Sequence, residues 1–491
     1  MKMTELKCDL KEYKTTPLNN DYKEALAQLK LINLDNIETF FIMFDNILEL
    51  EKNLSVIDKY TLLLYDLNET NENLKLKQKH WETFSDFLSF KNCFFDNVTK
   101  QFKKEELLKY IDENKKYDNY RYYIDDIYTM NFSSEENGKS MADLEKIRDE
   151  FYAENKLSKD EKIKYAVRYI TLREQVSNDI KYLNTLNEKL AEDGITEEVF
   201  ERLLTITKMY NDVEFKIKEI LKDSDENSSY PLERGFELIK ESLGKFFGTD
   251  YVKLIEKLID NNCIDTVSNK AKTNRPATYG SYDHLPVILL KYENDLESMR
   301  ILIHEIGHAV HLIYHEKNDY VNFDYNSFLG EAIALTNELV LLDYMYNNTN
   351  NVLEKKEILK SLLLFYNWIF IDASKSLILE KYFHDNYKCL SFDEIEKDEK
   401  WEEHISRVFD DYYDYKYAFG LCIATSLLNK IKNQDISYDD YINILKSRAH
   451  QNITEILKEY IDLSNSKNIE NMLKETYKII NNYIDKYNCL N

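Results

Sequence analysis

The scarcity of turn-forming residues limits what this chain can fold into. It has 9 Gly and 4 Pro among 491 residues, and these two residue types form most of the tight turns that a sheet requires. Hydrophobic residues make up 43% of the chain and charged residues 31%, so a packed core is expected. The sequence therefore predicts a mainly α-helical globular protein.

Apolar residues recur at helical spacing in the amino-terminal part of the chain. Residues 20–222 form a series of amphipathic segments, in which Leu183, Leu186 and Leu190 follow one another at intervals of three and four. The polar run 223–229 then contains nothing that can be buried, and Pro231 blocks helix continuation. We predict an amino-terminal helical lobe over residues 1–222 and a second domain over residues 223–491.

A second irregular stretch is the one region where sheet is expected. Residues 272–286 contain two of the four prolines and Gly280, and the apolar run from Val287 to Leu290 follows directly. This pattern predicts a loop or short hairpin that leads into a strand.

Charge and cysteine content narrow the classes of partner and compartment. The formal net charge of −24 repels phosphate backbones and anionic lipid surfaces, so we expect neither nucleic acid nor a membrane as a partner. Six widely spaced cysteines without a CxxC pair indicate free thiols. The first residues lack the apolar core of a signal peptide, and the apolar stretch 362–371 is about half the ~20 residues of a membrane span. We expect a cytoplasmic monomer.

Two histidines and a glutamate have the spacing of a metal-binding helix. His304, Glu305 and His308 fit the pattern HExxH. Histidines four positions apart lie one helical turn apart on the same face, so both imidazoles can reach one tetrahedral ion at about 2.0–2.1 Å. Glu305 lies beside them, where a carboxylate can act as a base on water. The sequence predicts that His304 and His308 bind zinc and that Glu305 is a general base.

A catalytic zinc site needs one more protein ligand. Tyr314 occupies the position at which a third histidine would stand in the metzincin pattern, so a carboxylate is favoured. Glu331 lies in a second apparent helix, and Glu338 is seven positions, about two turns, further on the same face. We predict that Glu331 binds the metal and that Glu338 accepts the other ring proton of a ligand histidine. The cofactor is one Zn²⁺ per chain.

The motifs resemble the thimet oligopeptidase and oligoendopeptidase F family of zinc metallopeptidases. The resemblance extends over residues 279–290, 304–308, 331–338 and the tyrosine-rich block 411–420. It implies a two-lobed helical body with a central substrate channel, a small β-sheet near the metal helix, and a catalytic zinc-peptidase domain over residues 223–491.

The resemblance also implies roles for residues outside the metal site. In this family a tyrosine of the tyrosine-rich block places its phenol over the scissile carbonyl, and by ungapped position that tyrosine is Tyr415. The family's histidine before this block is absent at its usual place, where Arg407 stands, with His404 three residues earlier. The resemblance indicates five possible substrate-binding residues, which are Tyr279, Gly280, His404, Arg407 and Tyr412.

The predicted function is zinc-dependent hydrolysis of internal bonds in short unfolded peptides. Two alternatives stay open on the same motifs. One is a zinc carboxypeptidase of similar helical shape, which would trim peptide ends. The other is a catalytically idle helical protein that binds peptides, although retention of Glu305 and Tyr415 favours an enzyme.

Overall fold

Helices make up most of the chain, as its low Gly and Pro content predicts. The computed structural model of the protein describes residues 6–10, 21–32, 34–129, 135–153, 156–179, 182–222, 228–315, 320, 323, 326–447 and 452–490. Of the predicted boundary run 223–229, residues 223–227 lie outside the described residues.

The first part of the chain forms helices that are joined by short connections. They are α1 Asp21–Leu29, α2 Ile37–Leu67, α3 Asn71–Gln101, α4 Lys104–Glu113, α5 Arg121–Thr129, α6 Glu135–Ala153, α7 Lys159–Asp179, α8 Thr185–Asp193, α9 Glu197–Met209, α10 Asn211–Leu221, α11 Leu232–Phe247 and α12 Thr249–Asp260. A 3₁₀ segment, Lys115–Tyr120, precedes α5.

The second part contains the sheet and the remaining helices. The strands are β1 Ile264–Asp265, β2 Ala277–Ser281 and β3 His284–Leu289. The helices are α13 Leu296–His315, α14 Ser327–Asn348, α15 Val352–Tyr366, α16 Ala373–Asn386, α17 Phe392–Ile395, α18 Trp401–His404, α19 Asp414–Lys432, α20 Tyr438–Leu445, α21 Ile453–Leu457 and α22 Ser466–Asn488.

The predicted hairpin is present and forms part of a three-stranded sheet in the order β1-β3-β2. Strands β2 and β3 pair antiparallel, with Thr278 opposite Ile288, and β1 adds a parallel edge that the sequence pattern did not indicate. Alternate residues of β3 face opposite sides. Val287 and Leu289 pack with side chains of α2, whereas Ile288 belongs to the main core. The sheet therefore lies between α2 and the helices that follow it.

Several apolar clusters form the core. An aromatic-rich cluster is built from α1 to α5, and a second cluster joins α6 and α7 to α16 and the 3₁₀ segment Ile405–Asp410. The largest cluster runs from α8 to α22 and includes residues on both sides of position 222. The division into residues 1–222 and 223–491 stays a prediction, because side chains from both parts share this core.

One continuous helical segment, Val352–Asn386, is longer than the apolar stretch 362–371 suggested. It comprises α15, a π-helical turn at Asn367–Asp372 and α16. By length and composition it could cross a membrane, and it is the one such segment in the described part of the chain, but 67% of its apolar window is buried inside the fold. Core helices have the same composition.

A buried charge network ties α7 to α8 and to the residues before α19. Arg173 donates from Nη1 and Nη2 to both carboxylate oxygens of Glu188, at 2.9 and 2.7 Å, and from Nε to Asp411 at 2.7 Å. Ser177 donates to Glu188 at 2.7 Å, and Tyr169 donates to Asp411 at 3.0 Å. We call these five residues the Arg173 network.

Candidate metal centre

Close packing between α13 and α14 brings the predicted ligand residues together. A Cβ built on Gly307 of α13 would lie 2.7 Å from Ala334 Cα of α14, a distance at which a side chain forces the helices apart. Glycine therefore permits this approach. His304 and His308 lie one turn apart on α13, and they face Glu331 near the start of α14.

The side chains of His304, His308 and Glu331 form what we call the histidine–glutamate cluster. The two histidine Nε2 atoms are 3.1 Å apart, and Glu331 Oε2 lies 3.6 Å from His304 Nε2 and 3.8 Å from His308 Nε2. Donors around one tetrahedral zinc ion at about 2.0–2.1 Å are separated by roughly 3.3–3.4 Å. Among the described residues, Glu331 Oε2 has no hydrogen-bond partner. The donor set therefore fits a divalent cation.

Glu338 holds the first histidine in place. Its Oε1 atom lies 2.6 Å from His304 Nδ1, and its Oε2 accepts a hydrogen bond from Arg300 Nη1 at 2.5 Å. This contact directs His304 Nε2 toward the cluster, which is the arrangement predicted for Glu338. Burial acts to lower the pKa of His304, but the hydrogen bond and charge of Glu338, with the charges of Glu331 and Glu305, raise it to about 9.

The predicted base, Glu305, is held by the edge strand of the sheet. Thr278 on β2 donates to Glu305 Oε2 at 2.7 Å. Burial raises the pKa of Glu305, although the charge of His304 and the Thr278 hydrogen bond oppose the rise. A carboxylate whose pKa is raised toward neutral pH is suited to take and return a proton. Burial likewise raises the pKa of Glu331 to about 7.

A cavity of about 710 Å³ opens beside the cluster. His304 and Glu305 line it, as do Arg407, His404 and the π-helical turn 367–372. The Nδ1 atom of His404 lies 2.5 Å from Asp398 Oδ2. His404 and Arg407 thus line the same cavity as His304 and Glu305, and their substrate-binding role stays a prediction.

Comparison with known proteins agrees with this geometry. The profile of peptidase family M3 matches residues 129–364, a range that contains the histidine–glutamate cluster. The relatives that this chain resembles in sequence include proteins named oligopeptidase PepF and oligoendopeptidase F. Oligopeptidase PepF of Bacillus subtilis (strain 168) is 26% identical over 336 residues, or 59% of this chain and 49% of that protein. The oligoendopeptidase F homolog of Borreliella burgdorferi is 25% identical over 59% of this chain and 53% of its own length.

These alignments span about half the length of the curated relatives. Solved structures extend the likeness of the fold to nearly the whole chain. Oligoendopeptidase-F from Enterococcus faecium superposes with a TM-score of 0.70 at 15% identity and covers 98% of both chains. A putative peptidase from Chlamydophila abortus gives 0.71 at 19% identity and covers 99% of this chain and 98% of that one. The mainly helical fold class with a small sheet is therefore confirmed.

The family resemblance implies that Tyr415 places its phenol over the scissile bond. The structure contradicts this assignment. Tyr415 is fully buried, and its hydroxyl donates to the carboxylate of Asp193 and lies 3.1 Å from Lys189 O. The reason is helical geometry. Because α19 begins at Asp414, residues two positions apart point about 200° apart around its axis.

Two other tyrosines of the same block lie at the histidine–glutamate cluster or line the cavity beside it. Tyr413 donates to Glu331 Oε1 at 3.0 Å, and Tyr417 lines the cavity with His304 and Glu305. Their spacing of four puts both on one helix face, and this was the signal in the sequence that could have identified them.

Tyr412 is also corrected as a possible substrate-binding residue. Its side chain is 1% exposed and packs against His384, with ring centroids 4.8 Å apart and ring planes tilted by 36°. Its amide donates to Glu380 at 2.7 Å. The packing of this residue is that of a core side chain, turned away from the histidine–glutamate cluster.

The upstream M3-like block lies against the metal helix. The Tyr279 hydroxyl donates to Asp66 of α2, so this side chain points away from the cluster, and the substrate-binding prediction for its phenol is corrected. A Cβ on Gly280 would lie 2.8 Å from Leu312 Cδ2 of α13, so glycine lets β2 approach that helix. A substrate contact at Gly280 stays a prediction.

Proposed function

We propose that this chain is a zinc-dependent endopeptidase that hydrolyses internal bonds of short peptides. The observation that carries the proposal is the convergence of His304, His308 and Glu331 donor atoms beside Glu305 at the edge of one cavity. A carboxylate base next to a three-donor site with an open side is the arrangement of catalytic rather than structural zinc sites. The relatives named oligoendopeptidase F support the same activity.

The side chains of the site have complementary tasks in this reaction. Zinc held by His304, His308 and Glu331 would supply Lewis-acid activation of water and of the peptide carbonyl. Glu305 takes the proton from the attacking water and returns it to the leaving amine. Thr278 keeps the Glu305 carboxylate in one orientation through its hydrogen bond.

The developing negative charge on the carbonyl oxygen requires a hydrogen-bond donor. We assign this task to the face that carries Tyr413 and Tyr417 in place of Tyr415. Tyr417 lines the cavity next to Glu305, and burial together with the Glu331 charge raises the pKa of Tyr417 well above its usual range. Its phenol therefore keeps its proton at neutral pH and donates without adding a full charge.

Substrates and compartment follow from the same proposal. We expect short unfolded peptides as substrates, no nucleic acid or membrane partner, and a cytoplasmic monomer. All six cysteines are free thiols, which is the usual state in a reducing compartment. Size-exclusion chromatography with light scattering measures the oligomeric state directly.

The decisive experiment replaces the base and leaves the metal ligands in place. Glu305→Gln should retain about one zinc per chain by elemental analysis and should lower kcat by about 10²–10⁴-fold. Glu233→Gln, at an exposed position on α11, is the matched control and should cleave as the wild type does. Substrates blocked at both ends, analysed by mass spectrometry, separate internal cleavage from trimming. Wild-type turnover in Glu305→Gln, or no zinc dependence, would refute the proposal.

A further inference from the structure

A second cavity adjoins the first and contains three arginines. It has a volume of about 690 Å³, and Arg275, Arg407 and Tyr417 line both cavities. Arg148 of α6 lines its far wall, and Tyr413, which contacts Glu331, lines the near wall. We call it the arginine cavity. A peptide held at the histidine–glutamate cluster can therefore extend into it.

The guanidinium groups of this cavity have weak partners. Among the described residues, Arg275 has no carboxylate within ion-pair distance and donates no side-chain hydrogen bond. Arg148 lies 3.9 Å from Glu145, and Arg407 lies 3.6 Å from Asp410 and 3.8 Å from Asp414, all beyond hydrogen-bond distance. Guanidinium groups normally form close, paired hydrogen bonds with carboxylates. These three groups can donate hydrogen bonds to a further carboxylate.

The positive charges of the three arginines all act on Asp410, which lines the cavity. Burial raises the pKa of Asp410, and the positive charges of Arg407, Arg275 and Arg148 all oppose this rise. Two more carboxylates line this cavity: Asp411 accepts hydrogen bonds from Tyr169 and Arg173, and Glu145 lies 3.9 Å from Arg148. In a chain with a net charge of −24, three arginines facing one cavity form an uncommon site for an anionic group.

We propose that the arginine cavity binds a carboxylate of the substrate peptide, either the terminal α-carboxylate or the side chain of an acidic residue. This inference rests on the proposed peptidase function, because it places the carboxylate at a fixed distance from the bond that is cut. The chain would then select peptides by the number of residues between the scissile bond and that carboxylate. Acidic or short free-ended peptides are the preferred substrates.

Three peptide series of equal length test the proposal and distinguish its two sources of carboxylate. One series is neutral with a free carboxyl terminus, one is neutral with a terminal amide, and one is amidated with a glutamate moved along the sequence. With the zinc-loaded wild type, one carboxylate-bearing series should exceed the neutral amide in kcat/KM by at least about tenfold, or about 1.4 kcal/mol, mainly through KM. Equal kcat/KM for all three series overturns the proposal.

Arginine variants connect that preference to the cavity. Arg275→Gln, Arg148→Gln and Arg407→Gln should each bring the ratio of kcat/KM for acid over amide toward one, while Arg275→Lys retains part of it. The control is Arg202→Gln, since Arg202 is 46% exposed and lies 4.0 Å from Glu470, outside the cavity. Because the ratio is taken within one enzyme, general effects on folding cancel. A wild-type ratio in all three glutamine variants overturns the proposal.

A binding measurement separates failure of this inference from failure of the peptidase proposal. Fluorescence anisotropy of the same labelled peptides with zinc-loaded Glu305→Gln protein requires no turnover. If the wild type cuts no peptide, the peptidase proposal fails, while tighter binding of the acid that is lost in Arg275→Gln still supports the arginine cavity. Equal binding of acid and amide by this protein overturns the arginine cavity even if cleavage occurs.

Discussion

Two buried polar groups of this molecule differ in how completely their hydrogen bonds are satisfied. In the Arg173 network, Arg173 is 2% exposed, and close hydrogen bonds engage its guanidinium and the carboxylates of Glu188 and Asp411. In the histidine–glutamate cluster, His308 Nδ1 and Glu331 Oε2 have no hydrogen-bond partner among the described residues. The hydrogen bonds of the first group are satisfied within the protein, whereas the donor atoms of the second fit a cation. Substitutions in the Arg173 network should therefore lower stability, whereas substitutions in the histidine–glutamate cluster should lower zinc binding and activity.

The largest expected effect comes from Glu331→Gln. Loss of the carboxylate should remove zinc and reduce peptide cleavage below detection, because one of only three protein ligands is gone. The chelated variant should be at least as stable as chelated wild type, since a poorly partnered buried charge has been neutralised. Elemental analysis and thermal unfolding with a chelator measure both. A clear loss of stability in the chelated variant would show that the cluster supports the fold, as the Arg173 network does.

Arg173→Gln should produce the opposite result. Removing the guanidinium leaves buried Glu188 and half-buried Asp411 without their cationic partner, which should lower the free energy of unfolding by about 3–5 kcal/mol. Activity per folded molecule and zinc content should be retained. Urea unfolding measures the loss, and the control Arg168→Gln, at an exposed pair with Glu150, should change stability by less than about 1 kcal/mol. Equal losses in the two variants would contradict the contrast.

The tyrosine-rich block contains a tyrosine that is hydrogen-bonded in the core, Tyr415, and two that lie at the candidate site, Tyr413 and Tyr417. It provides the next test. Tyr417→Phe or Tyr413→Phe should lower kcat by about 10²–10³-fold if that phenol is the oxyanion donor. Tyr415→Phe should leave kcat near the wild-type value and cost about 0.5–1.5 kcal/mol of stability, since it loses a hydrogen bond to Asp193. Steady-state kinetics and urea unfolding of all three variants give the assignment. A large kcat loss in Tyr415→Phe alone would restore the original prediction.

The smallest effect is a dependence of stability on acid. Burial acts to raise the pKa of Glu188, but the hydrogen bond and charge of Arg173 lower it below the usual value. A lowered folded pKa gives stability that is complete above the pKa of an unfolded glutamate, about 4.3, and that is lost as pH falls toward the folded pKa. Glu188→Gln should therefore show a flatter decline in melting temperature below that pH than the wild type.

The sequence predicted the fold class and indicated the residues of the histidine–glutamate cluster from patterns within short segments. Few glycines and prolines exclude a sheet-rich fold, and the HExxH spacing places two imidazoles on one helix face. The prolines, glycine and apolar run of residues 272–290 predicted the hairpin. The short strand β1 was missed because its two residues carry no periodicity.

The missed residues of the site depend on contacts between distant parts of the chain. Thr278 meets Glu305 across 27 positions, and Tyr415 meets Asp193 across 222. No pattern within a segment reveals such pairs. The sequence does show, however, that Tyr413 and Tyr417 are four positions apart and share a helix face. This spacing would have favoured them over Tyr415.

The close approach at Gly307 has a consequence for how such an enzyme can change. The donors of the histidine–glutamate cluster belong to helices in backbone contact inside the largest core, whereas Arg148 on the far wall belongs to a helix with its own smaller core. If both proposals hold, bond cleavage and peptide choice belong to parts of the chain that pack in different apolar clusters. On those proposals, we expect libraries that vary exposed positions of α6 to change which peptides are cleaved without changing the histidine–glutamate cluster.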